Sequence, residues 1–397
     1  MSTPKLRAWW FHRQGLDGSL RDATPAQVLE RAGWARSVGG VGPYLTLFAR
    51  ARATRQAADE AAAKIQIHEL PSARGCTYVL PARDYALGLK VGEDAAVAPM
   101  KVAMKLGVTE KEIVKLERAV LDALDGRDAM EPDAIRDATG KASRNLGEEG
   151  KKKGVTTTLP LALGRLQAKG EIRRVPVNGR LDQQRYRYAR WTPSPLAAYG
   201  KSLGEAYTDL ARLYFGWVGP ATLAEFQWFS SLGVKAAKEA TAPLRLAPAK
   251  DAAERLLLPE DVDAWERFDA PRDPCYALVS SLDSIAAARR NLPSLVDTKD
   301  QNQPVIADTA EKPLGGMSDL PSHAILDRGR VIGLWEYDVD SSKIAWGTFG
   351  AKKTKQLVAA VDEMEAFVRD QLGDARSFSL DSPKSRVKRV EALRRLA

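Results

Sequence analysis

Thr156-Thr-Thr-Leu-Pro-Leu-Ala-Leu-Gly-Arg-Leu-Gln-Ala-Lys-Gly170 leads into Glu171-Ile-Arg-Arg-Val-Pro-Val177, the pair Asn178-Gly179, and Gln183-Gln-Arg-Tyr-Arg-Tyr-Ala-Arg-Trp191. Threonines open the first piece and Lys169-Gly170 closes it, which predicts a helix over 156–168. Asn-Gly between two alternating segments predicts a β-hairpin. Upstream, Ile113, Leu116, Val120, Leu121 and Leu124 recur at helical spacing, so 109–125 reads as an amphipathic helix and 131–138 as a second, short one. The polar, Gly-rich stretch 145–154 reads as a mobile loop. Three helices followed by a two-stranded wing form a winged helix, the helix-turn-helix variant whose third helix lies in the major groove.

That segment is also where the charge sits. The 397-residue chain carries 60 Lys+Arg against 51 Asp+Glu, a net +9. Between Lys141 and Arg190 alone, thirteen bases face four acids, again an excess of +9. The tail 384–395 adds +5, whereas 251–273 runs to −5. Segregated positive charge suits a polyanion, because each neutralised phosphate releases condensed counterions. Arg165, Lys169, Arg173, Arg174, Arg180, Arg185 and Arg187 are expected to flank a duplex. Thr156, Thr157 and Thr158 at the helix start are expected to contact phosphates.

The pattern recurs along the chain. Helices are expected over 202–217, 223–229 and 232–240, with 244–246 and 255–258 as a short second wing. Upstream, helices are expected over 5–14, 25–32, 43–52 and 54–67, then a strand over 75–80 and a helix over 82–89. The C-terminal part reads as antiparallel strands over 322–326, 330–337 and 343–348, an irregular loop over 297–316 and a long helix over 352–372. The fold class is therefore α+β: tandem winged-helix modules plus a C-terminal antiparallel β domain. The modules run 1–104, 105–192, 193–260 and 261–397.

Composition excludes several classes. Two cysteines, Cys76 and Cys275, cannot make a disulfide scaffold, and three histidines without CxxC or HExxH make a zinc site of the usual spacing improbable. No run of about 18 apolar residues occurs and the N-terminus lacks a signal-peptide core. The expectation is a cytoplasmic, nucleoid-associated monomer that binds double-stranded DNA, with no metal, cofactor or membrane.

Four stretches then resemble a known family. Pro43-Tyr-Leu-Thr-Leu-Phe-Ala-Arg50, Arg74-Gly-Cys-Thr-Tyr-Val-Leu-Pro-Ala-Arg-Asp84, the segment from Leu210 through Tyr214-Phe-Gly-Trp-Val-Gly-Pro-Ala-Thr222 to Trp228, and Gly329-Arg-Val-Ile-Gly-Leu-Trp335 occur in the order seen in AlkZ-like (YcaQ-like) winged-helix DNA glycosylases. The resemblance covers nearly the whole chain. It implies three tandem winged helices and a C-terminal β domain cupping duplex DNA, and hydrolysis of the N-glycosidic bond of alkylated or crosslinked bases. It also implies a Gln-x-Gln or Gln-x-Asp pair just before the Pro43–Arg50 helix. Such a group stabilises positive charge developing on the sugar and aims a water.

Here the chain departs from the pattern. Ser37-Val-Gly-Gly-Val-Gly-Pro-Tyr44 puts Gly40 and Gly42 where the pair is expected, and Tyr78 stands in for the family's strand histidine. Catalytic competence is therefore in doubt. Asp17 is a weak substitute carboxylate and reads first as a turn residue. His12 reads as packing or capping, and Trp34 and Tyr44 as core, with base stacking as the alternative. The rival functions are an active glycosylase with a relocated catalytic residue, a transcriptional regulator, and a scaffold for protein partners.

Overall fold

The computed structural model describes residues 4–396 apart from 39, 183, 253, 308, 309 and 379. Among the described residues helices predominate and the strands form several small antiparallel sheets, so the α+β expectation holds at that level.

Helix α1 (Pro4–Arg13) is followed by α2 (Pro25–Ala32), α3 (Gly42–Ala51) and α4 (Arg55–Ala63), the last three lying against a three-stranded antiparallel sheet. Its strands β1 (Ala35–Arg36), β2 (Ile67–Pro71) and β3 (Thr77–Pro81) run in the order β1-β3-β2. Thr24 opens α2 with a capping box: its hydroxyl accepts from Gln27 N–H, and the Gln27 side chain accepts from Thr24 N–H. The helix expected over 54–67 stops at Ala63. Ile65 takes a left-handed backbone (φ 54°) that breaks the helix, and Ile67–Pro71 pairs with Thr77–Pro81 as a strand. Helices α5 (Tyr85–Val91) and α6 (Val97–Met104) follow.

The central segment carries α7 (Glu110–Leu124), α8 (Pro132–Thr139), α9 (Gly147–Lys152), α10 (Leu159–Ala168) and the antiparallel pair β4 (Ile172–Pro176) and β5 (Tyr186–Arg190). The Thr109 hydroxyl caps α7 by accepting from Glu112 N–H. Ile113, Leu116, Val120 and Leu124 are buried in one cluster with Leu159, Leu163 and Leu166. The stretch 145–154 is not a free loop: 147–152 coil into α9, and Asn145 bridges to Thr157. Asn178-Gly179 does turn, with Gly179 N–H donating to the Pro176 carbonyl at 3.1 Å. The strand ladder nevertheless ends at Pro176↔Tyr186, so the hairpin carries a connection over 177–185 rather than a two-residue turn.

Helices α11 (Leu203–Val218), α12 (Leu223–Ser230) and α13 (Val234–Thr241) precede two short strands, β6 (Ala247–Pro248) and β7 (Leu256–Leu257), the first lying just beyond the expected 244–246. The C-terminal part adds α14 (Val262–Arg267), β8 (Tyr276–Val279) and α15 (Ser284–Ala287). The expected irregular loop over 297–316 contains a strand pair, β9 (Pro304–Ala307) with β10 (Ala310–Pro313). Strands β11 (His323–Asp327), β12 (Arg330–Asp338) and β13 (Lys343–Thr348) complete a four-stranded sheet in the order β13-β12-β11-β8, flanked by α16 (Lys355–Phe367) and α17 (Pro383–Arg395).

One buried ion pair ties these parts together. Arg50 on α3 makes two hydrogen bonds to Asp283, at 2.7 and 2.8 Å, with both side chains fully buried. Its Nε and Nη2 also donate to the carbonyl and side-chain oxygens of Gln14, and Gln14 Nε2 donates to the Trp217 carbonyl on α11. Replacing Arg50 by Met strands the Asp283 carboxylate in an apolar interior. The expected loss is about 3–5 kcal/mol, read from the urea midpoint of the purified variant.

Two buried histidines add a pH dependence. Burial pushes His68 and His323 down to about 3. His323 Nδ1 accepts from Ser281 N–H at 2.9 Å, a bond only the neutral ring makes. The unfolded chain protonates these rings near pH 6.5 and the folded chain resists, so their contribution is complete above that value and is lost as pH falls towards 3. The unfolding free energy is expected to stay nearly flat from pH 7.5 to 6.5 and then to fall by about 1.4 kcal/mol per pH unit for each ring down to pH 4.5, and His323→Asn to flatten the profile.

Candidate functional site

Residues 37–42 join β1 to α3, where the resemblance locates the catalytic pair. A Cβ at Gly40 would meet nothing within 4 Å, and one at Gly42 would lie 3.5 Å from the Arg36 carbonyl and the Ser280 hydroxyl. The loop is thus roomy. At its start, the buried Ser37 hydroxyl donates to Glu69 Oε2 at 3.3 Å.

Glu69 anchors the central hairpin to this loop. Arg174 Nη1 donates to it at 3.3 Å, and the Tyr186 hydroxyl lies 3.1 Å from both carboxylate oxygens. Burial raises the pKa of Glu69, opposed mainly by the Arg174 charge. The far end of the hairpin is docked as well. Leu181 is 3% exposed and packs in the core formed by α3, α4 and α16, and its N–H donates to the Tyr44 hydroxyl at 2.7 Å. Tyr44 in turn donates to Asp59, and Arg180 pairs with Asp182 at 2.5 Å.

The other expected contact residues sit as follows. Arg165 reaches Glu110 at 2.5 Å and Glu117 at 2.7 Å, and Lys169 reaches Glu117 at 2.8 Å. Arg173 is half-buried, which lowers its pKa, and neither it nor Arg187 has a carboxylate partner among the described residues. Arg185 is exposed, and its carbonyl accepts from Val177 N–H. Thr156 is exposed and Thr157 half-buried, whereas the Thr158 hydroxyl is buried and accepts from Arg144 N–H at 2.9 Å. Together they line one helix–hairpin unit, but four of the seven bases, Arg165, Lys169, Arg174 and Arg180, already hold carboxylates.

Asp17 stands apart. It accepts from His12 Nδ1 at 2.6 Å and from Ser19 N–H at 3.1 Å. Burial raises its pKa, but these hydrogen bonds outweigh burial and leave it below the usual carboxylate range. Trp34 and Tyr44 are 3% and 1% exposed and belong to the core. His12 stacks on Phe268.

Sequence reasoning missed Glu69, Leu181, Arg36 and Arg74. Glu69 fell between the helix expected over 54–67 and the strand expected over 75–80, and Leu181 between the expected Asn178-Gly179 turn and the segment beginning at Gln183. Arg36 and Arg74 are far apart in sequence yet line one cleft with Trp34, Tyr78, Trp217 and Phe229.

The family model for DNA glycosylase AlkZ-like proteins matches residues 41–370. The chain belongs to the AlkZ-like DNA glycosylase family. It is similar in structure to Streptomyces sahachiroi DNA glycosylase AlkZ, with a TM-score of 0.70 and 18% identity over 95% of this chain and 98% of that one. At that identity the likeness speaks for the fold. No curated protein sequence matches. The four AlkZ-like stretches fall on α3, on the turn and strand of β3, on α11–α12 and on β12. The family match begins at Val41, so it includes Gly42 and leaves Gly40 just outside. Among the described residues no group of three or more ligating side chains could hold a metal, and no helix is long and apolar enough to cross a membrane.

The docked hairpin is testable. Leu181→Ala removes a core side chain and is expected to cost about 2–5 kcal/mol. It should also release 177–185, so limited trypsin digestion is expected to cut at Arg180 and Arg185 well before the wild type is cut there.

Proposed function

We propose that this AlkZ-like family member is a duplex-DNA-binding protein of DNA repair whose excision by the family's glutamine pair has been lost. Its modules are read as winged helices over 1–104, 105–192 and 193–260, with a C-terminal β domain over 261–397, acting as a monomer at the nucleoid. The central module supplies phosphate contacts from Arg173, Arg185 and Arg187. Arg165, Lys169, Arg174 and Arg180 add to the field while holding the helix and hairpin in place. Thr156 and Thr157 lie at the start of α10, where backbone N–H groups favour a phosphate, and Thr158 positions that turn through Arg144.

A single observation carries the doubt about catalysis. Gly40 and Gly42 present no side chain in a loop with space for one. Bond cleavage leaves positive charge on the sugar, and neither glycine offers an oxygen to stabilise it or to orient water. Asp17 is held by His12 and Ser19, and among the described residues no hydrogen bond or ion pair ties it to this loop.

Two measurements test the reading. Anisotropy titrations on a duplex should lose roughly 10³-fold in affinity between 50 and 200 mM salt if about six phosphates are neutralised. A flat profile overturns the DNA reading. On alkylated duplex, the wild type is expected to form no abasic sites. Gly40→Gln with Gly42→Gln should form them at a rate roughly 10²-fold or more above the uncatalysed background. Abasic product from the wild type overturns the loss of excision.

A further inference from the structure

A polar cavity lies where α1, the connection between β6 and β7, and the turns that follow α15 come together. Its volume is about 330 Å³, at the lower end of the range of small-ligand sites. Arg7, Arg255, Asn291, Ser294, Thr298 and Gln301 supply its polar lining. None of its lining residues belongs to the loop over 37–42 or to the central hairpin.

The cations on one side of this cavity outnumber the carboxylates that answer them. Arg255 Nη1 donates to Glu225 Oε2 at 2.7 Å, and Glu225 also accepts from Thr222 N–H at 2.9 Å and Asn291 Nδ2 at 3.2 Å. Arg289 belongs to the same group. Its guanidinium and that of Arg255 lie 3.9 and 4.9 Å from the Trp10 ring centre, and its Nη1 and Nη2 donate to the Ile285 and Val218 carbonyls. Burial lowers the Arg289 pKa to about 10, so it stays charged at neutral pH. Two guanidinium groups thus share one buried carboxylate, a surplus of one positive charge. A buried charge without a counter-ion is costly. Arg7 adds nothing to that surplus, since it is paired with Asp297.

Several of the lining groups are uncommitted. The Arg255 side chain is 10% exposed, and among the described residues only its Nη1 is hydrogen-bonded. Nε and Nη2 form the guanidinium edge that matches a pair of phosphate oxygens. Asn291 commits Nδ2 to Glu225, which leaves Oδ1 as an acceptor. The side chains of Thr298 and Gln301 make no hydrogen bond among the described residues. Asp251 and Glu254, the acids close to Arg255 in sequence, line the adjacent open pocket and not this cavity.

We propose that this cavity binds a small hydroxylated phosphate monoester, of the sugar phosphate class, with its phosphate on Arg255 and its hydroxyls on Asn291, Thr298 and Gln301. The surplus charge selects an anion. The volume and the amide and hydroxyl lining select what the anion is attached to, because a bare oxyanion leaves most of the space to water. Asn291 Oδ1 accepts from a ligand hydroxyl, while Thr298 and Gln301 both donate and accept. The inference stands apart from the DNA-binding reading, since the two use different residues.

The probe is ribose 5-phosphate, titrated calorimetrically into the full chain beside inorganic phosphate and ribose. Ribose 5-phosphate is expected to bind at least about tenfold more tightly than either, because the charged and the hydroxyl contacts each contribute on that scale. Arg255→Lys keeps a charge beside Glu225 but loses the planar N–H pair, and should weaken binding about tenfold. Thr298→Glu sets a like charge beside the phosphate from an exposed position, so it should weaken binding about tenfold or more with an unchanged melting temperature.

Each outcome decides something. No binding of ribose 5-phosphate overturns the site. Inorganic phosphate binding as tightly as ribose 5-phosphate leaves an anion hole only and overturns the sugar phosphate. Binding that survives both Arg255→Lys and Thr298→Glu lies elsewhere on the chain and overturns the cavity. A paired duplex that displaces ribose 5-phosphate assigns Arg255 to a backbone phosphate and overturns a free ligand, whereas binding that persists at saturating duplex supports it.

Discussion

The buried contact between Arg50 and Asp283 is the constraint on which the relative placement of the parts depends. Four parts of the chain meet there: Gln14 just after α1, Arg50 on α3, the Trp217 carbonyl on α11, and Ser284 on α15 with Asp283 capping it. Each is polar at the point of contact, and each donor or acceptor finds a partner. A half-satisfied network of this kind would be worse than an apolar core, so it admits one arrangement of the elements. That arrangement matters for function because the loop over 37–42 runs straight into α3. The placement of the loop hangs on the same few hydrogen bonds.

Electrostatics looks different once the partners are visible. The excess of +9 over 141–190 stops short of the acids on α7, and those hold three of the bases: Glu112 takes Arg144, Glu110 and Glu117 take Arg165, and Glu117 takes Lys169. Counted over 105–192, nineteen bases face thirteen acids, an excess of +6. The long-range field of the module survives pairing, since it depends on net charge, and it still steers a polyanion. Close contacts are another matter. A base already bound to a buried carboxylate such as Glu117, only 5% exposed, must break that pair to grip a phosphate.

Much of the fold was legible because local signals and tertiary packing agreed. The 109–125 periodicity, the Thr109 cap and the 343–348 strand are each decided by residues within a few positions of one another. The failures share a cause. Ile67–Pro71 became a strand because Thr77–Pro81 offered a ladder, 147–152 coiled around a bridge to Thr157, and Leu181 left an expected tight turn to fill a core on another part of the chain. Each needed knowledge of a distant partner. The site was less legible still. Arg36, Arg74 and Trp217 carry no common motif: the sheet register sets Arg36 beside Tyr78, and Arg74 comes from the turn between β2 and β3.

The proposed loss of excision rests on the glycine loop. Glycine is usually retained where backbone needs a positive φ or where another atom lies too close for a side chain. Gly329 shows both, with φ 80° and a hypothetical Cβ only 2.1 Å from the Arg7 carbonyl. Gly40 shows neither: its φ lies outside the left-handed region and nothing approaches within 4 Å. Gly42 keeps ordinary contact distances. Neither backbone conformation nor close contact therefore demands glycine at either position. On the proposed reading, the glycines are a chemical difference at the loop rather than an adjustment of the fold, which is why glutamine placed there probes chemistry first.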